Sequence, residues 1–131
     1  MAEMLTFELV SPERKLDSAE AEAVTIPGML GDLTAMANHA PFLTTLRPGF
    51  VTISGGTSEG RYLVTGGFAE ISSNTVSVLA EQAFKADEID TAWLESRIAE
   101  GEKALADVPA DRLQAETQRL NDYRALAGQI G

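Results

Sequence analysis

The 131-residue sequence contains no cysteine. This absence excludes disulfide bonds, thiolate metal sites and cysteine nucleophiles, and it argues against redox chemistry. Apolar runs are short, and none approaches the roughly 18 residues that a membrane-spanning helix requires. The N-terminal stretch MAEMLTFELV passes directly into a strand-like alternation, without the basic region of a targeting signal. We therefore expect a soluble, cytoplasmic protein of bacterial origin.

Basic residues are few relative to acidic ones. Ten Lys and Arg stand against twenty Asp and Glu, which gives a net charge of −10 at pH 7. Such a surface repels nucleic-acid phosphates and anionic lipid, so neither nucleic-acid binding nor direct membrane docking is expected. The acidic residues are spread along the chain without a long single-sign run, which indicates a solvated surface rather than a metal site.

Histidine is also scarce, since His39 is the only one. A zinc site needs three or four ligands, and a catalytic histidine needs a nucleophile and an orienting group; neither set is visible around His39. We interpret His39 as a structural residue of a loop beside Pro41. The glycines of GMLG at positions 28–31 lack the spacing of a phosphate-binding loop. No metal and no cofactor is expected, and elimination favours an interaction protein.

Residues 1–84 show the two-residue period of half-buried strands. The alternating apolar residues are Leu5, Phe7 and Leu9; Val24 and Ile26; Leu33 and Ala35; Val51 and Ile53; and Val76 and Val78. Turn signals separate these runs at Ser11-Pro12, Pro27-Gly28, Pro48-Gly49, Gly55-Gly56, Gly66-Gly67 and Ser73-Asn74. Close turns without helical segments between them predict an antiparallel β-sandwich or barrel. We expect Gly66 and Gly67 to adopt positive φ or to form a bulge.

After Phe84 the apolar spacing becomes helical. Asp87 is the predicted N-cap of a first helix, with Asp90 near the positive end of its dipole. The apolar stripe of this helix comprises Ile89, Trp93, Ile98, Leu105 and Val108, with Gly101 beside it. Pro109 ends this helix and precedes a second one, whose apolar face comprises Leu113, Leu120, Tyr123, Ala127 and Ile130. We interpret Trp93 as a packing residue of the core or of an interface.

These patterns predict an α+β protein built by segments. An N-terminal antiparallel β-sandwich at residues 1–84 is followed by a C-terminal antiparallel two-helix hairpin at residues 88–130, with a short linker at residues 83–87. Short helices with one apolar stripe each gain most of their stability from packing against another surface. The hairpin is therefore expected to dock on the sandwich or on a partner.

The order of short motifs in the first domain is specific. It runs Ile26-Pro27-Gly28, Gly31-Asp32-Leu33-Thr34, His39-Ala40-Pro41, Leu43-Thr44, Pro48-Gly49, Gly66-Gly67-Phe68-Ala69-Glu70 and Val76-Ser77-Val78-Leu79-Ala80-Glu81. This series resembles the epsilon subunit of bacterial F-type ATP synthase over most of the β region, and the hairpin resembles that family more loosely. The resemblance implies a non-catalytic rotor subunit of the central stalk, peripheral to the cytoplasmic face of the inner membrane.

The resemblance also implies partners. In the family, loops at one end of the sandwich meet the c-subunit ring and one flank meets the gamma subunit. The matching residues here are Met29, Leu30, Gly31 and His39, which are the candidates for contact with the c ring. Met29 and Leu30 could equally be apolar plugs that are buried within the domain. Membrane association is expected only through the complex.

Some members of the family bind ATP at the hairpin through a motif that begins Ile/Leu-Asp and continues two residues later with Arg-Ala. Ile89 and Asp90 match the start of this motif, but Trp93 and Leu94 stand where Arg and Ala are found. A triphosphate would lose its principal cationic partner. We therefore expect weak or absent ATP binding.

The family's hairpin can also extend towards the catalytic alpha/beta head and restrain ATP hydrolysis, partly through basic residues. The candidates here are Arg112, Arg119 and Arg124. Each has acidic or neutral neighbours, so we expect mild inhibition. Two other functions remain open: a nucleotide-sensing module whose hairpin closes on ATP, and a small hydrolase, for which no nucleophile and base are visible.

Overall fold

The strands of the protein occupy the first 85 residues. The computed structural model describes residues 4–13, 15–38, 40–55 and 60–126. Within them lie β1 (Leu5–Val10), β2 (Lys15–Ala21), β3 (Ala23–Gly28), β4 (Gly31–Met36), β5 (Phe42–Leu46), β6 (Gly49–Ser54), β7 (Gly60–Val64), β8 (Gly67–Ile71), β9 (Thr75–Ala80) and β10 (Ala83–Lys85). The alternation predicted β1, β3, β4, β6 and β9, and the other five strands were not predicted individually.

The strands pair in the order β10-β7-β6-β3-β5-β8-β9-β1-β2, with β4 paired to β3. The pairs are antiparallel, except that β1 runs parallel to β9. A parallel pair needs a long connection between its strands, and almost the whole domain lies between β1 and β9. The predicted antiparallel arrangement therefore holds apart from this one pair.

One apolar core joins strands from both ends of this order. Phe7 and Leu9 of β1 share it with Val51 of β6 and Val64 of β7, and all four are fully buried. Residues from distant strands can share a core only if the sheet folds over on itself. The result is the predicted β-sandwich.

Of two predicted turns, the structure confirms the backbone conformation of one and shows that the other is part of a strand. Gly66 and Gly67 have φ of 146° and 129°, so the predicted positive φ is confirmed. A Cβ on Gly67 would collide with the carbonyl oxygen of Leu79 on the neighbouring strand. Pro27-Gly28 is not a turn, because both residues end strand β3 and the turn itself consists of Met29 and Leu30.

The predicted linker at residues 83–87 is largely structured. Residues 83–85 form β10, which pairs with β7 in the register Ala83↔Val64, because the small Ala83 fits the buried side of the sheet. A short 3₁₀ turn follows at Ala86–Glu88. By internal contacts the chain divides into Met1–Ala86 and Asp87–Gly131.

The second unit contains two helices, α1 (Thr91–Ala104) and α2 (Leu113–Leu126), joined by 3₁₀ turns around Pro109. The N-cap of α1 is Asp90 and not Asp87, because the Asp90 carboxylate accepts the Trp93 amide N–H at 2.8 Å. Asp87 lies in the preceding 3₁₀ turn. Among the described residues, no helix is long and apolar enough to cross a bilayer.

The helices meet where the sequence predicted a close approach. A Cβ on Gly101 would lie 3.0 Å from Cδ1 of Leu120. Leu94, Leu120, Tyr123 and Leu126 are buried, whereas the predicted face residue Leu113 is exposed, because it lies in the first turn of α2. Trp93, Ile98, Leu105 and Val108 are half-buried, and Leu94 takes the most buried position of α1 instead. Ala127 and Ile130 lie outside the described residues.

Candidate functional site

The β3–β4 turn presents two apolar side chains to solvent. Strands β3 and β4 pair up to Gly28↔Gly31, so only Met29 and Leu30 form the turn. Gly31 has φ of 135°, which closes the turn without strain because glycine has no Cβ. Leu30 is 103% exposed and Met29 is also exposed, so neither is a buried plug. Such a pair could bury its apolar surface in a partner.

Position 39 lies outside the described residues, and the chain before it is described up to Asn38. Strand β4 leads away from the turn to the pair Ala23↔Met36, about 17 Å along the hairpin. Asn38 follows in the left-handed conformation, and its amide N–H donates to the carbonyl of Ser73. The structure thus brings Met29, Leu30 and Gly31 together, and it places Asn38 at the opposite end of the hairpin.

Arg47 supports the β3–β4 turn. Its main-chain N–H donates to the carbonyl of Pro27 at 3.0 Å, and its Nε–H donates to the carbonyl of Gly28 at 3.1 Å. No motif or periodic pattern in the sequence points to this residue. Its only signal in the sequence is its position before Pro48-Gly49.

A second apolar surface lies on the outward side of strands β5, β8, β9 and β1. We define the outer face as Leu43, Phe68, Leu79 and Val10. Phe68 is opposite Leu79, and Leu79 is opposite Val10. Leu43 is a diagonal neighbour of Phe68, within reach of its ring. Phe68 is 53% exposed and Leu79 is 56% exposed, so the outer face is a continuous apolar strip open to solvent.

Carboxylates border the outer face. Glu70 is opposite Leu43, and Glu8 lies two residues before Val10 on the same side of β1. Glu8 pairs with Lys15 at 3.8 Å, and both side chains are about half-exposed, so this ion pair adds little stability. An apolar centre with an acidic border suits a partner that offers apolar and basic groups.

The opposite flank is different in character. Thr25 of β3 is opposite both Thr34 of β4 and Thr52 of β6. The hydroxyls of Thr25 and Thr34 are 2.9 Å apart and share a hydrogen bond. Arg61 covers the ring of Phe50 at 4.1 Å. The central positions of this opposite flank are therefore polar or covered, unlike those of the outer face.

The candidate nucleotide residues are engaged within the helical unit. Ile89 is buried, and Asp90 serves as the helix cap. The guanidinium of Arg97 lies 4.9 Å from the Trp93 ring centroid, a favourable cation–π contact. A cleft between the helices, lined by Gly101, Leu120 and Tyr123 among others, has a volume of about 190 Å³. Ligand pockets are typically about 300–1,000 Å³.

Two of the candidate regulatory arginines have acidic partners nearby. Arg112 lies 3.7 Å from Glu116, and Arg124 lies 3.3 Å from Glu102 of α1. Arg119 is half-buried and lines the cleft between the helices. The three arginines therefore do not form one open basic surface. In the described part of the chain, no group of three potential metal ligands occurs.

Sequence comparison identifies relatives across nearly the whole chain. Residues 4–86 match the family model described as "ATP synthase, Delta/Epsilon chain, beta-sandwich domain". The chain is 46% identical over 131 residues to the ATP synthase epsilon chain of Fuscovulum blasticum, which covers 100% of this chain and 99% of that protein. It is 48% identical over 132 residues to ATP synthase epsilon chain 1 of Cereibacter sphaeroides, with the same coverage.

Structure comparison identifies likenesses of fold, among them the following two. One is to a chain in the cryo-EM structure of the Euglena gracilis mitochondrial ATP synthase, described as OSCP/F1/c-ring in rotational state 1, with a TM-score of 0.76, 21% identity, and coverage of 96% of this chain and 81% of that one. The other is to a chain of the Tetrahymena thermophila mitochondrial ATP synthase central stalk and c ring, with a TM-score of 0.56, 24% identity, and coverage of 64% and 68%. At these identities the likenesses bear on the fold alone.

Proposed function

The chain belongs to the delta/epsilon-chain family of ATP synthase, and we propose that it is a non-catalytic subunit of the rotating central stalk of an F-type ATP synthase. In this role it couples rotation of the c ring, driven by protons, to ATP synthesis. The observation that carries the proposal is the identity of 46–48% to ATP synthase epsilon chains over the full chain. The proposed location is the cytoplasmic face of the bacterial inner membrane, reached through the complex.

The β3–β4 turn is the proposed contact with the c ring. Leu30 and Met29 are apolar and exposed at one end of the sandwich, as a docking loop requires. Fully burying a leucine or methionine side chain stabilises a complex by about 1.5–3 kcal/mol. His39, which lies outside the described residues, stays a candidate for the same contact. Among the described candidates, the contact consists of residues 29–31.

The outer face is the proposed contact with the gamma subunit. It is a continuous apolar strip on one flank of the sandwich, whereas the central positions of the opposite flank are polar or covered. Continuous exposed apolar strips mark protein–protein interfaces. At the border of the outer face, Glu70 favours a basic group of the partner, whereas Glu8 is already paired with Lys15.

The helical hairpin is proposed to restrain ATP hydrolysis only mildly. Contact with the catalytic alpha/beta head would require Arg112 and Arg124 to leave Glu116 and Glu102, so part of any gain is offset. Deletion of residues 86–131 is expected to raise hydrolysis by the assembled enzyme less than tenfold, which corresponds to less than about 1.4 kcal/mol. A larger increase would contradict mild inhibition.

A nucleotide-sensing module is the second candidate function. The retained Ile89 and Asp90 favour it. Against it stand the engagement of Asp90 as a helix cap and the small volume of the cleft between the helices. Binding of gamma, which only the stalk function requires, separates the two.

The decisive experiment removes and restores the chain. ATP synthase assembled without it is reconstituted in vesicles, and ATP synthesis driven by an imposed proton gradient is measured before and after the purified chain is added. We expect synthesis to be low without the chain and restored by it. Normal synthesis in its absence would refute the proposed role.

A further inference from the structure

The two Pro-Gly pairs of the sequence pack against each other beside the β3–β4 turn. A Cβ on Gly49 would lie 2.6 Å from Cβ of Pro27, closer than real side chains approach. Only glycine therefore lets β6 begin so near the end of β3. A Cβ on Gly28 would likewise lie 2.9 Å from the carbonyl oxygen of Gly31. The backbone on both sides of the turn is closely confined.

Arg47 holds the same backbone through hydrogen bonds. Its main-chain N–H and its Nε–H donate to the carbonyls of Pro27 and Gly28, the last two residues before the turn. The pairing of Gly28 with Leu46 places Arg47 beside these carbonyls. A hydrogen bond from a charged donor is roughly twice as strong as a neutral one. The side chain of Arg47, which lies on the β5–β6 connection, thus fixes the start of the turn that connects β3 and β4.

We propose that Arg47 is a positioning residue for binding to the c ring: it holds the β3–β4 turn so that Met29 and Leu30 are presented in one conformation. This inference rests on the proposed contact between the turn and the ring. A turn that is ordered before binding loses less conformational entropy when it binds. Arg47 thereby raises affinity without touching the ring.

A positioning role makes one specific prediction: the effect of Arg47→Met on binding to the ring depends on whether Leu30 is present. If Arg47 acts through the turn, Arg47→Met should weaken binding much less once Leu30 is replaced, because only Met29 of the contact then remains. If Arg47 touched the ring itself, the effects of Arg47→Met and Leu30→Ser would add, because the two contacts would be independent. A double-mutant cycle separates these cases.

The experiment measures the affinity of the full chain for detergent-solubilised c ring and, separately, for gamma. The variants are Arg47→Met, Leu30→Ser, the double variant, and Arg61→Met as the matched control, since Arg61 lies on β7 and covers Phe50 of β6, away from the turn. Arg47→Met is expected to weaken binding to the ring about tenfold, or about 1.4 kcal/mol. Affinity for gamma should stay unchanged, Arg61→Met should match the wild type within about twofold, and the double variant should bind more tightly than two independent losses would predict.

The outcomes separate the inference from the function on which it rests. Wild-type binding by Leu30→Ser refutes the contact between turn and ring, and the role of Arg47 falls with it. Two outcomes overturn the role of Arg47 but leave the contact standing. In one, Leu30→Ser binds weakly while Arg47→Met binds like the wild type. In the other, the effects of the two substitutions add in the double variant. Equal losses of affinity for the ring and gamma also overturn the role of Arg47, because they would indicate general disruption of the domain.

A conservative variant keeps the inference testable if Arg47→Met does not fold. Arg47→Lys retains the charge and the main-chain bond but removes the Nε–H donor to Gly28. We expect faster hydrogen exchange at the main-chain amide of residue 47, whose bond to Pro27 forms part of the support of the turn, together with weaker binding to the ring. Exchange at the wild-type rate would overturn the proposal.

Discussion

Replacement of Phe68 on the outer face should weaken binding of gamma without unfolding the sandwich. Phe68 is 53% exposed, so about half of its side chain remains to be buried by a partner. Full burial of a phenylalanine contributes about 1.5–3 kcal/mol, so the remaining half contributes about 1 kcal/mol. Phe68→Ser should therefore reduce affinity for gamma about fivefold. Adding Leu79→Ser should bring the loss to about thirtyfold if the two residues contribute independently.

The assay is titration calorimetry of the purified chain with gamma, and thermal unfolding of each variant measures its stability. Met36→Ser is the matched control, because Met36 is an apolar strand residue with a similar exposure of 57% but lies outside the outer face. Its affinity for gamma should equal that of the wild type. Binding of gamma by Phe68→Ser as tight as that by Met36→Ser would refute the contact between the outer face and gamma.

Three further predictions concern the fold and the helical unit. Gly67→Ala should lower the free energy of unfolding, measured by urea denaturation, by about 2–3 kcal/mol or more. The reason is that φ is positive and the new Cβ would collide with Leu79. A loss below about 1 kcal/mol would argue against this collision. Asp90→Ala should destabilise α1 by about 1 kcal/mol in thermal melts followed by circular dichroism, whereas Asp87→Ala should change little, and the reverse ranking would disprove the cap assignment. Calorimetry should detect no ATP binding at micromolar concentrations, and a micromolar dissociation constant would contradict the prediction.

Strands were predictable where one face is buried and the other is exposed. In β1, Leu5, Phe7 and Leu9 are buried and alternate with less buried residues, so the two-residue period is visible in the sequence. In β7 the three consecutive residues Tyr62, Leu63 and Val64 are all buried, and the period disappears. A run of consecutive buried residues cannot be recognised by alternation, which explains the failure to predict β7.

The candidate surfaces, like the strands, were only partly predictable from the sequence. The turn at Met29 and Leu30 was identified through a family resemblance, and its exposure is a finding of the structure. The outer face was not identified, because apolar residues in strands are ordinarily read as core. Only the register shows that Phe68 and Leu79 face each other on the outward side of the sheet. Arg47 was missed because its two acceptors lie on a strand 19 and 20 residues earlier in the chain.

The sequence by itself determined the acidic surface, the absence of thiol chemistry and the change from strand to helix period near residue 85. These properties depend on composition and on neighbours a few residues apart. Tertiary structure decided that Gly49 packs on Pro27, that Asn38 lies far from Leu30, and which apolar side chains remain outside. Such facts follow from strand register and long-range packing, which bring together residues whose spacing along the chain carries no periodic signal.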